Sequence, residues 1–76
     1  MTTSYSTLIK DRRLTLAKNR PNTFSTRMMA SKFKMHPEDY EAIEDGTTRP
    51  SLAVAIKIGI TLGISMHDAK EAFYKS

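Results

Sequence analysis

The sequence predicts an all-α domain of five short helices. Apolar residues recur at helical spacing, no segment alternates apolar and polar residues as a strand would, and proline or glycine separates the apolar segments. The 76 residues suffice for one small domain, which buries about 60% of its unfolded surface. Residues 1–76 are therefore expected to form a single domain. Because the sequence contains no cysteine, this domain must be held together by its apolar core.

The first helix is predicted from about Ser6 to Lys18. Its apolar residues Leu8, Ile9 and Leu16 lie close to one face at helical spacing. Pro21 disfavours helical backbone at the residue before it, so we expect the helix to end before the segment "NRPN".

The second and third helices are short and close together in the sequence. Ser25 is a favourable N-cap for a helix through "TRMMASKF", and Pro37 suits the first position of the next helix. Tyr40 and Ile43, three residues apart, form the predicted buried pair of the third helix. Gly46 can adopt the positive φ that often ends a helix.

The fourth and fifth helices complete the prediction. Ser51 caps the segment "LAVAIKIGITLG", which is apolar over much of its circumference and is therefore expected to be the central core helix. Gly63 ends it, and Ser65 with Asp68 three residues later resembles a capping box that opens the last helix. The apolar residues of this last helix are Ala69, Ala72, Phe73 and Tyr74.

Charge is distributed unevenly along this basic chain, whose sequence pI is about 9.6. Residues 1–34 contain eight Lys or Arg and one acid, whereas residues 35–76 contain four Lys or Arg and seven acids. The excess of cations favours an anionic partner. Five of the eight acids lie in the single segment "MHPEDYEAIEDG", at residues 35–46.

The second and third helices, joined by "KMH", predict a helix-turn-helix at about residues 25–44. In that motif the second helix enters the DNA major groove and the first crosses the backbone. From Ser25 onward, "STRMMASKFKMHPEDYEAIEDGTTRPSLAVAIKIGITLG" resembles the phage repressor and Cro family of helix-turn-helix domains. The resemblance rests on Met29, Ala30, Phe33, Met35, Tyr40 and Ile43, followed by "IEDG", "RPS" and "LG".

This resemblance, which covers about half of the chain, implies a compact five-helix lambda-repressor-like domain. Such domains bind double-stranded DNA operators, usually as homodimers, and regulate transcription. By position, the resemblance assigns base reading to Pro37, Glu38, Asp39 and Ala42. It assigns contacts with the DNA backbone or minor groove to Thr26, Arg27, Lys34, His36 and Arg49. For the dimer seam we expect Met66, Ala69 and Phe73 of the last helix, unless that stripe docks onto the fourth helix.

Four features depart from the family pattern. Lys34 stands where the family usually has glycine in the turn, and the connection "AKNRPNT" is longer than usual. The acid of the second helix that often pairs with the first-helix arginine is absent, because Arg27 and Met28 stand there. Arg13 of the first helix is nevertheless expected to pack or pair inside the fold. The fourth departure is the acidic third helix.

Glu38 and Asp39 admit two interpretations. Carboxylates in a first helical turn stabilise the helix dipole, and Glu41, Glu44 and Asp45 can be structural or solvent-exposed. Alternatively, Glu38 or Asp39 accepts a hydrogen bond from cytosine N4 in the major groove. A competing hypothesis keeps the scaffold but makes it a protein-interaction module, antitoxin-like or anti-repressor-like, whose acidic third helix binds a basic partner.

Other functional classes find little support in the sequence. His36 with Glu38 and Asp39, or His67 with Glu71, lacks an obvious third ligand for a metal site. No nucleophile–base set or glycine-rich phosphate loop is present, so we expect neither an enzyme nor a cofactor. The longest apolar run is too short for a membrane span, and the expected location is the cytoplasm of a bacterial or phage-infected cell.

Overall fold

The computed structural model describes residues 4–75 and confirms the all-α fold class, with five helices and no strand in that range. The helices are α1 (Tyr5–Ala17), α2 (Thr26–Lys32), α3 (Pro37–Asp45), α4 (Leu52–Thr61) and α5 (Met66–Lys75). None of the helices between residues 4 and 75 combines the length and apolar character needed to cross a membrane.

Serine hydroxyls cap the N-termini of four helices in this range. Ser4 accepts a hydrogen bond from the Thr7 N–H at 3.3 Å, so α1 begins one residue earlier than predicted. The three caps predicted from the sequence are confirmed, with N–H to Oγ distances between 3.1 and 3.3 Å. These caps are Ser25 on α2, Ser51 on α4 and Ser65 on α5.

Left-handed residues stand at three of the chain reversals. Gly46 ends α3 with φ 81°, as predicted, and Gly63 follows α4 with φ 78°. Lys34, in the turn between α2 and α3, has φ 55° and is the one residue other than glycine with positive φ in residues 4–75. A left-handed conformation costs such a residue about 1–2 kcal/mol, so a glycine at this turn would be less strained.

The core lies where α1 packs against α3 and α5 and where α4 packs against α5; α2 packs against α3. The fully buried large side chains are Ile9, Met29, Tyr40, Ile58 and Leu62. α4 supplies Ile58, and Leu62 is the residue directly after this helix, but α4 is less central than predicted because Ile60 is 53% exposed. One side of this apolar helix therefore lies at the surface.

α4 and α5 approach each other closely at Gly59. A Cβ placed on Gly59 would lie 2.7 Å from the Cβ of Ala69, which is fully buried. Two carbon atoms in van der Waals contact are about 3.5–4.0 Å apart, so an added methyl group would force the helices to separate. Glycine is therefore required here by packing between helices rather than by backbone conformation.

Gly59→Ala is expected to lower the free energy of unfolding by about 1–2 kcal/mol. In an exposed helix the same change would stabilise the protein by about 1 kcal/mol, because alanine is the better helix former. Urea unfolding of Gly59→Ala, and of Gly59→Ala combined with Ala69→Gly, measures the effect. The double variant should recover most of the loss, and stabilisation by Gly59→Ala alone would contradict the close approach.

Candidate nucleic-acid interface

α2 and α3 are two short helices joined by a connection of four residues, 33–36. Backbone hydrogen bonds hold the turn, from Lys34 N–H to Ser31 O at 3.2 Å and from Met35 N–H to Ala30 O at 3.0 Å. The left-handed backbone of Lys34 reverses the chain between them. Pro37 then opens α3 at its first turn, as predicted.

α3 has a buried face and an acidic outer face. Tyr40, Ile43 and Glu44 are buried against the rest of the domain. The four other carboxylates of this helix are all exposed, and none belongs to a buried ion pair. They are Glu38, Asp39, Glu41 and Asp45.

The residues expected to read bases lie at or near this outer face. Glu38 and Asp39 are exposed in the first turn of α3 and form no ion pair among residues 4–75. Ala42 is half-buried and stands one turn after Glu38, so it lies on the same side of the helix. Pro37 is half-buried at the N-terminus. The arrangement gives α3 two free carboxylates beside a small apolar side chain.

Thr26 joins the first turn of α2 to the outer face of α3. Its hydroxyl donates to Glu41 Oε1 at 3.1 Å. This proton is thus already used within the protein, and a hydrogen bond from Thr26 Oγ1 to a phosphate would have to replace the one to Glu41. Glu41 is exposed, as its sequence position predicts, but its contact with Thr26 links residues fifteen positions apart and is not evident from the sequence pattern.

Arg27, Lys34 and His36 are exposed around the same unit, and none forms an ion pair in the described part of the chain. His36 occupies the N-cap position of α3, but its side chain makes no capping hydrogen bond. All three side chains are therefore available to a ligand.

Arg49 is engaged within the fold. Its Nη2 donates to Phe73 O at 2.7 Å, and its guanidinium carbon lies 4.0 Å from the centre of the Phe73 ring. These contacts join the connection between α3 and α4 to α5. Arg49 nevertheless remains exposed, so these contacts fix the position of its side chain without removing it from the surface.

A buried ion pair supports α3 from behind. Arg13 Nε lies 2.6 Å from Glu44 Oε2, Arg13 Nη2 lies 3.0 Å from Glu44 Oε1, and Arg13 Nη1 donates to Phe24 O at 3.2 Å. The hydrogen bond with Glu44 raises the pKa of Arg13, which keeps the guanidinium charged. α3 thus supplies the acid that α2 lacks, and the sequence-based expectation that Arg13 pairs inside the fold is met.

Tyr40 lies beside this pair with its hydroxyl buried and without a hydrogen-bond partner among the described residues. Burial, followed by the influence of the Glu44 carboxylate, raises the pKa of Tyr40. The phenol therefore stays neutral. The buried side of α3 is fixed by Tyr40, Ile43 and Glu44 together, which leaves its outer face to contact a ligand.

Two of the three residues expected at a dimer seam, Ala69 and Phe73, are not at the surface of the domain. Ala69 is fully buried and Phe73 is 7% exposed, because both pack inside the domain. Met66 stays 57% exposed, and Tyr74 is the other exposed large apolar residue of α5. The docking alternative is thus the observed one for Ala69, which lies against Gly59 of α4.

The two histidines are far from equivalent in their surroundings. His67 Nε2 lies 3.1 Å from Glu71 Oε2 on α5, and Lys75 Nζ lies 2.6 Å from the other oxygen of the same carboxylate. These contacts form an exposed ion-pair series along one helix.

Comparison with known proteins yields no match to a family model, a curated protein or a solved structure.

Proposed function

We propose that this protein is a sequence-specific DNA-binding transcriptional regulator of the repressor or Cro type, which places α3 in the major groove of an operator. The observation that carries the proposal is the geometry of the α2–turn–α3 unit. α3 is buried on one side through Tyr40 and Ile43 and presents Glu38 and Asp39 on the other. An α-helix with its side chains is about 10–12 Å in diameter and fits the major groove of B-DNA, which is about 12 Å wide.

In this proposal a carboxylate of Glu38 or Asp39 accepts a hydrogen bond from cytosine N4. A good base contact discriminates by about 1–3 kcal/mol against a wrong base. Ala42, one turn along, offers a methyl group for apolar contact with thymine. Recognition would therefore favour cytosine at fixed positions of the operator.

Carboxylates close to DNA are repelled by phosphates, so cations must position the protein. Arg27 and Lys34 are exposed next to α3 and free of ion pairs within residues 4–75, and they are suited to contact backbone phosphates. The other exposed cations of the basic N-terminal half add long-range attraction. If the protein binds as a two-fold symmetric dimer, half-sites should lie about 10 base pairs apart or a multiple of that.

The direct test is binding-site selection from random duplex DNA by the purified protein, at about 150 mM salt to suppress non-specific attraction. The proposal requires recovery of one motif with cytosine or guanine at fixed positions, palindromic if the protein dimerises. Circular dichroism establishes that the protein used is folded. A folded protein that enriches no motif would overturn the proposal.

Glu38→Gln combined with Asp39→Asn should abolish operator discrimination while raising affinity for unrelated duplexes. Neutral amides remove the repulsion from phosphates, and an amide presents donors where the carboxylate only accepts. Fluorescence anisotropy on the selected operator and a scrambled duplex gives the ratio of affinities. Asp68→Asn is the matched control, because Asp68 is an exposed acid in the first turn of α5. Equal effects of the two changes on the ratio would argue against base reading by α3.

The acidic outer face favours a second candidate function, a module that binds a basic protein surface. Four exposed carboxylates on one helix of nine residues complement lysine-rich or arginine-rich segments. Changing Glu38 and Asp39 to lysine separates the two functions. In the second case the selection yields no motif, and the change abolishes binding of an oligolysine peptide that the unaltered protein binds through residues 38–45. Failure of that peptide to bind the unaltered protein would dismiss the second candidate.

A further inference from the structure

Three lysines from two parts of the chain meet around one shallow depression. Lys32 is the last residue of α2, Lys34 is in the following turn, and Lys57 is on α4. The depression has a volume of about 270 Å³, and its other lining residues are Phe33 and Val54. We name it the lysine depression.

No acid balances this charge. The lining contains no Asp or Glu, and none of its lysines belongs to an ion pair within residues 4–75. By contrast, Lys10 and Lys75 lie within 3.9 Å of carboxylates elsewhere on the surface. Three like charges around a partly apolar floor repel one another, and an anion in the depression would relieve that repulsion.

The backbone provides an independent observation. Lys34 has φ 55°, a conformation that glycine adopts without strain and lysine does not. Backbone strain that persists at a single residue is a reason to look for a role of its side chain. Here the strained residue brings its side chain to the lysine depression.

We propose that the lysine depression binds a backbone phosphate of DNA next to the groove occupied by α3. The inference rests on the proposed DNA-binding function and adds Lys57 of α4, outside the helix-turn-helix, to the interface. Lys34 precedes Pro37 by three residues, a span of at most about 11 Å, so the depression adjoins the N-terminal end of α3. The backbone bordering a major groove about 12 Å wide lies within that reach. An open, shallow site suits a linear polyanion better than a small ligand that must be enclosed.

The test compares Lys57→Ala with Lys70→Ala, which removes another exposed lysine, on α5, that also lacks an ion pair in the described range. Affinity for a labelled duplex of scrambled sequence is measured over a series of salt concentrations. Loss of one phosphate contact should reduce the slope of log K against log salt by about 0.9, or affinity about eightfold at 0.1 M salt. Lys70→Ala should leave the slope unchanged.

Lys34→Gly is a second variant, and it distinguishes a lysine that binds phosphate from a lysine whose role is only structural. It should raise the unfolding temperature, because glycine relieves the positive φ, while lowering duplex affinity as Lys57→Ala does. A gain of stability without loss of affinity would overturn the role of Lys34 in the depression.

The scrambled duplex separates this inference from the proposed function. A slope that falls for Lys57→Ala alone supports the phosphate site even if the selection finds no operator. Equal slopes for Lys57→Ala and Lys70→Ala overturn the site even if an operator is found, and a protein that binds no duplex overturns both. Backbone amide shifts at residues 32–34 and 57 on titration with inorganic phosphate, without a change of slope for Lys57→Ala, would assign the depression to a small phosphorylated ligand instead.

Discussion

Glu44→Ala is expected to lower the free energy of unfolding by about 3–5 kcal/mol, which would leave a domain of this size close to unfolded. Glu44 is 5% exposed, and its two oxygens accept hydrogen bonds from Arg13 at 2.6 and 3.0 Å. The substitution leaves the Arg13 guanidinium buried without its counter-charge. Only the bond from Arg13 to Phe24 O at 3.2 Å would remain. Urea unfolding followed by circular dichroism measures the loss.

Asp45→Ala is the matched control, because it removes the next carboxylate of the same helix. The Lys10–Asp45 pair is 3.9 Å apart with side chains 48% and 60% exposed, so its loss should change stability by less than about 1 kcal/mol. Arg13→Met combined with Glu44→Leu should restore stability to near that of the unaltered protein, because no buried charge is left unpaired. Equal losses for Glu44→Ala and Asp45→Ala would show that the buried pair has no special weight.

Local features of the fold could be predicted from the sequence because their causes lie within a few residues. Ser25, Ser51 and Ser65 cap helices through N–H groups three residues away. Gly46 and Gly63 likewise adopt positive φ at predicted helix ends. The exact end of each helix could not be predicted as well, because the last helical turn depends on tertiary packing. For example, α2 ends at Lys32 although its apolar pattern extends to Phe33.

Contacts between residues far apart in the sequence were harder to predict. The sequence indicated that Arg13 would pair inside the fold, but the choice of Glu44 depends on how α1 crosses α3. The bond between Thr26 and Glu41 and the stacking of Arg49 on Phe73 have the same origin. Helical periodicity identifies an apolar face without specifying which neighbouring helix covers it, and this is why Phe73 was assigned to a dimer seam.

Phe73→Ala should destabilise the domain by about 3–5 kcal/mol, since it creates a large cavity between α1 and α5. The Phe73 ring is in edge-to-face contact with Tyr5, at 5.9 Å between ring centres, and the guanidinium carbon of Arg49 lies 4.0 Å from the centre of the Phe73 ring. The Phe73 carbonyl also accepts a hydrogen bond from Arg49. In the alanine variant, Arg49 loses the ring that positions its side chain for this bond. The measurement is the unfolding midpoint in urea at several protein concentrations.

Concentration dependence distinguishes a core residue from a dimer contact. Because Phe73 is buried within one chain, the loss of stability should be the same at every protein concentration. For a residue in a dimer seam, the loss of stability would become smaller at high protein concentration, because mass action favours the dimer. Met66→Ala, at a position that is 57% exposed on the same helix, is the comparison, and it should change the free energy of unfolding of the monomer only slightly.

The substitution Phe73→Asp, which introduces a charge, cannot report on assembly, since it would unfold the monomer first. Sedimentation of Met66→Asp and Tyr74→Asp tests the exposed part of α5 instead. If the unaltered protein is a dimer, dimers in both variants would place the seam on another surface.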